Sequence, residues 1–487
     1  MKKILLFILL VALLLASVVL YNTFTFKSKQ IQVEPVAKID IPATAKDHMS
    51  QAIQIPTISN ANPADFDSTA FDNFKKFVKD TYPLTDSLLE INYINEYSMV
   101  MKLAGSNETL KPVIFMGHLD VVPVPQENRS KWSADPFGGE IKNGQIWGRG
   151  AIDDKISVIG NMEALELLLG EGFSPERTIY FCYGHDEELG GVNGAIPIVN
   201  YLKEKGVEAE YVVDEGFAIT KGMIPGIEKE VALIGTAEKG FVTYNLSIDI
   251  MGGHSSMPAP ESAIDILSRA IVKLKDNLFP VELSQPVKDF MTYAGPEMPF
   301  VQKMAFANPW LFESMIMSTY SKTPSGNALI RTTTAPTIIN AGVKDNVIPY
   351  QAKASVNFRI LPGSSIEEVR NHVVEVIDDE RIKVEIGDFA SEPPRASPTD
   401  AFGYISLEKT NKEIFPEVLI TPNLVIGATD SRHYYEICDN IYRFTPFHLN
   451  SENISTFHGI DERIPVADFE DAVRFYYQLI KNSGRAL

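Results

Sequence analysis

Acidic and histidine side chains follow directly after short apolar runs at several points in this chain. Three of these runs have the character of strands, at 113–116, 178–183 and 211–213. The polar segments are 117–120, 153–155, 186–188, 214–215 and, far downstream, 458–459. Carboxylates at the mouths of buried strands are costly unless a cation neutralises them. The pattern therefore predicts a sheet whose strand ends hold positive ions.

The candidate ligands in these segments are carboxylate oxygens and imidazole nitrogens, with no cysteine among them. This set of donors suits zinc, or else manganese or cobalt. More than four candidates indicate two ions, and a water held between two ions is a nucleophile for hydrolysis. Simpler alternatives stay open at this point: a surface pair of His118 and Asp120, helix capping at 153–154, and a solvated acidic loop at 186–188.

Strand and helix patterns alternate from about residue 44 to 237, which is typical of an α/β sheet with helices on both faces. In such sheets ligands bind beyond the carboxyl ends of the strands, where the acidic segments lie. A second unit at 238–389 has the order βαββαβ of ferredoxin-like domains, with a helical insertion at about 280–334. Because the α/β pattern resumes at 390–487, we expect the second unit to be a lid inserted into the catalytic domain.

The N-terminal segment is almost wholly apolar at 4–20 and follows two lysines. Its length suits a short membrane span, and no clean small-residue cleavage site follows. Residues 1–25 are therefore predicted to be a signal-anchor in preference to a cleaved signal peptide, with 26–43 as a stalk. The body is expected to be exported and membrane-anchored, or secreted or periplasmic if cleavage occurs. The net charge of −19 argues against nucleic acid as a partner and against a polybasic surface that binds membranes. The N-terminal segment is therefore the only predicted membrane contact.

Longer motifs surround the candidate ligands and continue beyond them. They are GHLDVVP at 117–123, GRGAIDDK at 148–155, GHDEE at 184–188, DEG at 214–216, GGHSS at 252–256, NVIP at 346–349, ATDSRHY at 428–434 and HG at 458–459. With these motifs the chain resembles the dizinc metallopeptidase family of aminoacylase, carboxypeptidase G and carboxypeptidase S. It is similar in particular to the carboxypeptidase S branch, which includes N-acyl amino acid synthase/hydrolases. The resemblance implies a zinc-dependent exopeptidase-like catalytic domain and a lid that also serves in dimerisation.

The resemblance also implies two zinc ions, with cobalt or manganese as alternatives. One zinc would be held by His118, Asp153 and Asp214. The other would be held by Asp153, Glu188 and His458. Asp153 would thus give one carboxylate oxygen to each ion and bridge them.

Two further carboxylates receive roles from the same resemblance. Glu187 would be the general base and acid, and Asp120 would orient the imidazole of His118. The choice of Asp214 as a ligand is open, because its neighbour Glu215 can also face a metal.

Three candidates lie outside the acidic segments. The resemblance implies that His254 stabilises the oxyanion, often from a partner subunit, and that Arg432 binds the free carboxylate of the substrate. Asn346 is expected near the same end of the substrate. For Arg432 the simpler alternative is a buried ion pair with Asp430, and for His254 it is a structural loop histidine.

These residues predict a zinc-dependent hydrolase of the carboxypeptidase S type. It would cleave the amide bond next to a free amino-acid carboxylate by means of a metal-bound water and the Glu187 base. One alternative is an N-acyl amino acid hydrolase or synthase, with the aromatic insertion as an acyl channel; lid core or dimer contact is the simpler use of that insertion. A second alternative is a non-catalytic binding domain of the same fold. The expected partners are a small peptide or N-acyl amino acid and, through the lid, a second copy.

Overall fold

Helices and strands alternate along most of the computed structural model, which describes residues 1–60 and 62–485. The α-helices are α1 Lys2–Thr25, α2 Ala45–Ile53, α3 Ser68–Thr81, α4 Pro83–Leu88, α5 Gln126–Arg129, α6 Lys155–Gly170, α7 Ala195–Glu204, α8 Ala263–Asp276, α9 Gln285–Ala294, α10 Phe300–Ala307, α11 Pro309–Tyr320, α12 Pro324–Leu329, α13 Ile366–Ile377, α14 Phe402–Ile414 and α15 Val466–Ser483. The strands are β1 Glu90–Ile94, β2 Ser98–Leu103, β3 Val113–His118, β4 Ile141–Lys142, β5 Gln145–Trp147, β6 Ile179–Gly184, β7 Tyr211–Asp214, β8 Ile219–Thr220, β9 Val231–Glu238, β10 Gly240–Asp249, β11 Gly253–His254, β12 Thr333–Ala341, β13 Val347–Ile348, β14 Gln351–Ile360, β15 Lys383–Ser391, β16 Leu419–Val425, β17 Ile441–Arg443, β18 His448–Leu449 and β19 Arg463–Pro465.

The large sheet of the catalytic domain has the order β1-β2-β6-β3-β7-β17-β9-β8-β18, and β16 pairs with β9. Strand β3 runs parallel to both β6 and β7, and every residue of these three strands is buried. Strands covered on both faces are continuous apolar runs, which is why the sequence marks them clearly. Their carboxyl ends meet at one edge of the sheet.

Helices cover both faces of this sheet, as predicted. Along β3, Val113 and Phe115 belong to the core that contains α6 and α15, whereas Ile114 and Met116 belong to the core beneath α7. Successive strand residues point to opposite faces, so one apolar strand supplies both cores. Helix α6 is buried on nearly all sides, which accounts for its lack of a polar face.

The lid contains a four-stranded antiparallel sheet with the order β12-β14-β10-β15. Alternate residues of β10 are buried, because only one face of the sheet is covered by α8 and α13. Both helices begin with a capping box, at Ser262 and Ser365. The order β10-α8-β12-β14-α13-β15 is the predicted βαββαβ, so the predicted α/β fold with a ferredoxin-like lid is confirmed.

The insertion in the lid and the N-terminal segment both lie against the catalytic domain. Helices α9 to α11 share an apolar core with β9 and β16.

Within the described residues, α1 alone is long and apolar enough to cross a membrane. Residues 26–43, expected as a stalk, run along the body instead. Gln30 donates to and accepts from the backbone of Ile420, both at 2.8 Å, so its polar groups are satisfied by the protein.

Candidate metal centre

The ends of the parallel strands bring the acidic segments together, as the sequence predicts. His118 is the last residue of β3, and a 3₁₀ turn at Glu187–Leu189, which we call the glutamate turn, follows β6. Glu215 comes directly after β7, and Asp153 lies just before α6. His458 reaches the same edge from the loop before β19. Five distant parts of the chain therefore contribute to one cluster.

The cluster contains two groups that share the carboxylate of Asp153. Its Oδ1 lies 2.9 Å from Nε2 of His118, and its Oδ2 lies 2.9 Å from Nε2 of His458. The first group is completed by Oε1 of Glu215, 3.3 Å from Nε2 of His118. The second is completed by Oε1 of Glu188, 3.1 Å from Nε2 of His458. Each group presents one imidazole nitrogen and carboxylate oxygens from two residues.

Asp214, which the resemblance implies as a ligand, makes a different contact in this structure. Its Oδ2 accepts a hydrogen bond from the backbone N–H of Ser431 at 3.0 Å. Neighbouring residues at the end of a strand point in opposite directions. Glu215 therefore occupies the place that the resemblance assigned to Asp214.

Asp120 contacts the Nδ1 side of the His118 imidazole. Nδ1 of His118 lies 3.0 Å from the carbonyl oxygen of Asp120 and 3.4 Å from its Oδ1. The Asp120 carboxylate accepts from Oγ of Ser59 at 2.6 Å and from the backbone N–H groups of Glu187 and Glu188 at 3.1 and 3.2 Å. Burial acts to raise the pKa of Asp120, but hydrogen bonds from His118 and Ser59 outweigh it and lower that pKa. One carboxylate thus fixes both the imidazole and the glutamate turn.

Negative charge in the cluster exceeds what its two imidazoles can balance. Burial and neighbouring carboxylates raise the pKa of Glu187, Glu215 and Asp154 well above the usual range. Hydrogen bonds to Asp153 and Glu188 raise the pKa of His458 to about 10. The site therefore attracts positive charge, and its donors are those that zinc, cobalt or manganese accept. The residues present fit a pair of divalent cations.

Asp154 is an alternative ligand for the His118 group, because its carboxylate lies within reach of His118 and Glu215. Its Oδ2, however, accepts the backbone N–H of His118 at 3.3 Å, and its Oδ1 is buried without a hydrogen-bond partner among the described residues. Asp153 is the better candidate because it alone lies between both imidazoles.

The carboxylate of Glu187 is placed differently from those of its neighbours. Its backbone N–H donates to Asp120, but its side chain makes no hydrogen bond or ion pair within residues 1–60 and 62–485. It is part-buried beside the cluster, with its pKa raised by burial. A carboxylate without a fixed partner is available to take a proton from a nearby water and to pass it on.

The structure brings His254 and Asn346 together, but away from the cluster. Both are exposed in the lid, where β11 and β13 pair His254 with Val347. The backbone N–H of Ser255 donates to the carbonyl of Asn346 at 3.2 Å, and Nδ1 of His254 lies 2.8 Å from Oγ of Ser256. We call residues 252–257 and 345–349, which pair as a two-stranded ribbon, the lid ribbon. Neither predicted residue touches a metal ligand of its own chain in the described structure.

Arg432 lies close to the glutamate turn. Its guanidinium donates to the carbonyls of Thr429 at 2.7 Å and Gly190 at 3.0 Å, and it stacks on Phe389 of the lid. Its distance to Asp430 is 3.8 Å, too long for a strong ion pair. Arg432 therefore lies beside the site, where two backbone carbonyls hold its guanidinium in place of Asp430.

A buried ion pair that the sequence did not reveal fixes the position of the loop that carries Asp153. Nη1 of Arg149 lies 2.6 Å from Oε2 of Glu462, and Oε1 of Glu462 accepts the backbone N–H groups of Ile152 at 2.9 Å and Asp153 at 3.3 Å. The pair fixes the loop that carries the shared carboxylate. Arg149 stands in the GRGAIDDK motif, but its partner is more than three hundred residues away in sequence.

The α/β fold and this cluster define a metal-dependent hydrolase. Residues 114–482 match the family described as Peptidase family M20/M25/M40. The chain belongs to this family, which confirms the resemblance seen in the motifs.

Two relatives and one solved structure extend this result. The chain is 41% identical to a probable carboxypeptidase S-like 2 of Dictyostelium discoideum, with 98% of this chain and 93% of the relative covered. It is 39% identical to a human N-fatty-acyl-amino acid synthase/hydrolase, with 90% and 87% covered. An M20 family metallo-carboxypeptidase from Sulfolobus solfataricus shares the fold with a TM-score of 0.67, at 18% identity and with 90% and 99% covered.

Proposed function

We propose that two zinc ions bind the cluster, one at His118, Asp153 and Glu215, the other at Asp153, Glu188 and His458. The observation that carries this proposal is the position of the Asp153 carboxylate, with one oxygen 2.9 Å from each imidazole. The excess of buried carboxylates supports it, because a pair of cations would offset their repulsion. Cobalt or manganese suits the same donors and would serve in place of zinc.

The reaction is hydrolysis of an amide bond. Bound metal ions would supply Lewis-acid polarisation of the substrate carbonyl and acidify water at the site. Glu187 removes a proton from the attacking water and returns it to the leaving amine, a role open to it because its carboxylate is otherwise unpartnered. Asp120 keeps His118 and the Glu187 turn in one arrangement throughout.

The substrate carries a free carboxylate next to the cleaved bond. Arg432 is proposed to bind that carboxylate, since its guanidinium is buried beside Gly190, which directly follows the glutamate turn. His254 is proposed to reach the substrate carbonyl and Asn346 the carboxylate end of the substrate, both from the lid ribbon. Their exposure supports delivery to the site of a second copy. A homodimer through the lid is therefore part of the proposal, and α1 is proposed to anchor the enzyme with its catalytic domain exported.

A carboxypeptidase acting on short peptides is the first candidate activity. The second is an N-acyl amino acid hydrolase or synthase, which is favoured by the likeness to a human N-fatty-acyl-amino acid synthase/hydrolase. A binding domain without catalysis is disfavoured, because Glu187 and candidate ligands for both metal positions are present.

A substrate panel on purified full-length protein separates the two activities. Turnover of dipeptides and of long-chain N-acyl amino acids is measured with zinc-loaded and with chelated enzyme. Dipeptide turnover that depends on zinc supports the carboxypeptidase, whereas turnover confined to acyl amino acids supports the second candidate. Absence of turnover for both classes with the metal loaded would contradict the proposed function.

A further inference from the structure

The insertion of the lid exposes several large apolar side chains beside the N-terminal helix. They are Phe300 and Val301 at the start of α10 and Trp310, Leu311 and Met315 on α11, each between 48% and 63% exposed. We call these five residues the apolar tip. Leu311 and Met315 are four residues apart and share one face of α11. An exposed cluster of this kind marks a contact with a partner or with lipid.

Helix α1 leaves the body of the protein at this place. Asn308, between α10 and α11, is fully buried and donates to the carbonyl of Val19 at 3.2 Å, while Asn22 donates to Oδ1 of Asn308 at 2.9 Å. Val19 and Thr23 are buried by this contact, whereas every residue of α1 before Val19 is exposed. The apolar helix and the apolar tip are therefore neighbours.

The position of this contact along α1 sets the level of the tip. The apolar run at 4–20 spans about 25 Å at ~1.5 Å per residue, close to the thickness of a hydrocarbon core. Val19 lies at the end of that run, so Asn308 stands where the helix would leave the bilayer. Trp310 and Leu311 follow Asn308 by two and three residues, in the first turn of α11. Tryptophan is enriched at that depth in membrane proteins.

The chemistry of the tip favours lipid over a polar partner. Across 300–320, only Lys303 and Glu313 carry charge. Phe24 of α1 packs against Phe300 with ring centroids 6.0 Å apart, so the two apolar surfaces are continuous. Side chains of this type bind the boundary between headgroups and acyl chains when they face it.

We propose that the apolar tip inserts into the surface of the phospholipid bilayer that α1 crosses and forms a second membrane contact of the enzyme. The inference goes beyond the proposed hydrolysis and rests on the proposed anchor. The tip and α1 together hold the catalytic domain in one orientation on the bilayer.

Tryptophan quenching in vesicles tests the proposal. Full-length protein is reconstituted into phosphatidylcholine vesicles with ordinary or brominated acyl chains. We expect brominated lipid to quench a part of the emission, and we expect the Trp310→Phe variant to lose that quenched part, because Trp132 is buried and Trp147 stacks with Arg463 in the catalytic domain. Equal emission in the two lipids, or unchanged quenching in Trp310→Phe, would overturn the proposal.

A matched pair of variants checks the geometry. The double variant Leu311→Glu, Met315→Glu should lose Trp310 quenching, and Val272→Glu, at an exposed apolar residue of lid helix α8, should keep it. Two further results would overturn the proposal. One is protein that does not float with the vesicles. The other is a tip that a second copy of the chain covers, so that brominated lipid does not quench Trp310. Hydrolysis of a soluble substrate is measured in parallel. Hydrolysis without quenching leaves the proposed function intact, whereas quenching without hydrolysis leaves the tip intact.

Discussion

The metal cluster and the lid ribbon differ in how many contacts within one chain hold their side chains in place. In the cluster, His118, Asp120 and Asp153 are held by hydrogen bonds from strands, turns and a buried ion pair. In the lid ribbon, His254 and Asn346 are exposed, and the hydrogen bonds described for them are to Ser256 and Ser255 of the same ribbon. Under the proposed mechanism, one chain positions its own candidate metal ligands and Glu187, whereas His254 and Asn346 act on the site of a second copy.

The largest effect is expected in the metal cluster, from a change at Glu187, the proposed general base. We expect Glu187→Gln to lower kcat about 1,000-fold or more, because the amide keeps the shape of the side chain but cannot accept a proton. Steady-state kinetics measures the loss, and elemental analysis should show unchanged metal content. Activity within a few-fold of the parent would break the assignment of Glu187 as the base.

The second test compares neighbours at the end of β7. Glu215→Gln should reduce bound metal from about two ions per chain towards about one, since it weakens the His118 group. Asp214→Asn is the matched control, because Asp214 accepts from Ser431 instead. Elemental analysis after dialysis measures both. The opposite pattern would restore Asp214 as the ligand.

The role of the lid ribbon is tested by His254→Ala. We expect kcat to fall about 100- to 1,000-fold with metal content unchanged, because the oxyanion loses a stabilising donor. Mixing this variant with Glu187→Gln should restore about a quarter of the parent activity, since a mixed dimer contains one site with both groups intact. Mixtures are made by denaturing and refolding the two chains together. A mixture as inactive as its components would show that His254 does not act across a dimer.

Much of the cluster could be predicted from the sequence, for identifiable reasons. Buried parallel strands such as β3 and β6 are continuous apolar runs, and the residue after such a run lies at the edge of the sheet. The choice between Asp214 and Glu215 could not be predicted, because the direction of a side chain at a strand end depends on the last paired residue.

Other features depend on contacts that sequence spacing does not reveal. The pairing of Arg149 with Glu462 joins two distant segments. Residues 26–43 have the composition of a stalk, yet they lie on the catalytic domain because Gln30 meets the free backbone groups of Ile420. Local pattern predicts elements, but it does not predict which surfaces those elements meet.

The most direct test of the central claim is anomalous X-ray diffraction at the zinc edge from crystals of the zinc-loaded protein. The account predicts two peaks in each chain, one on either side of the Asp153 carboxylate, with Glu215 at the His118 peak and Glu188 at the His458 peak. A single peak that Asp153 does not touch, or a peak held by Asp214, would contradict it.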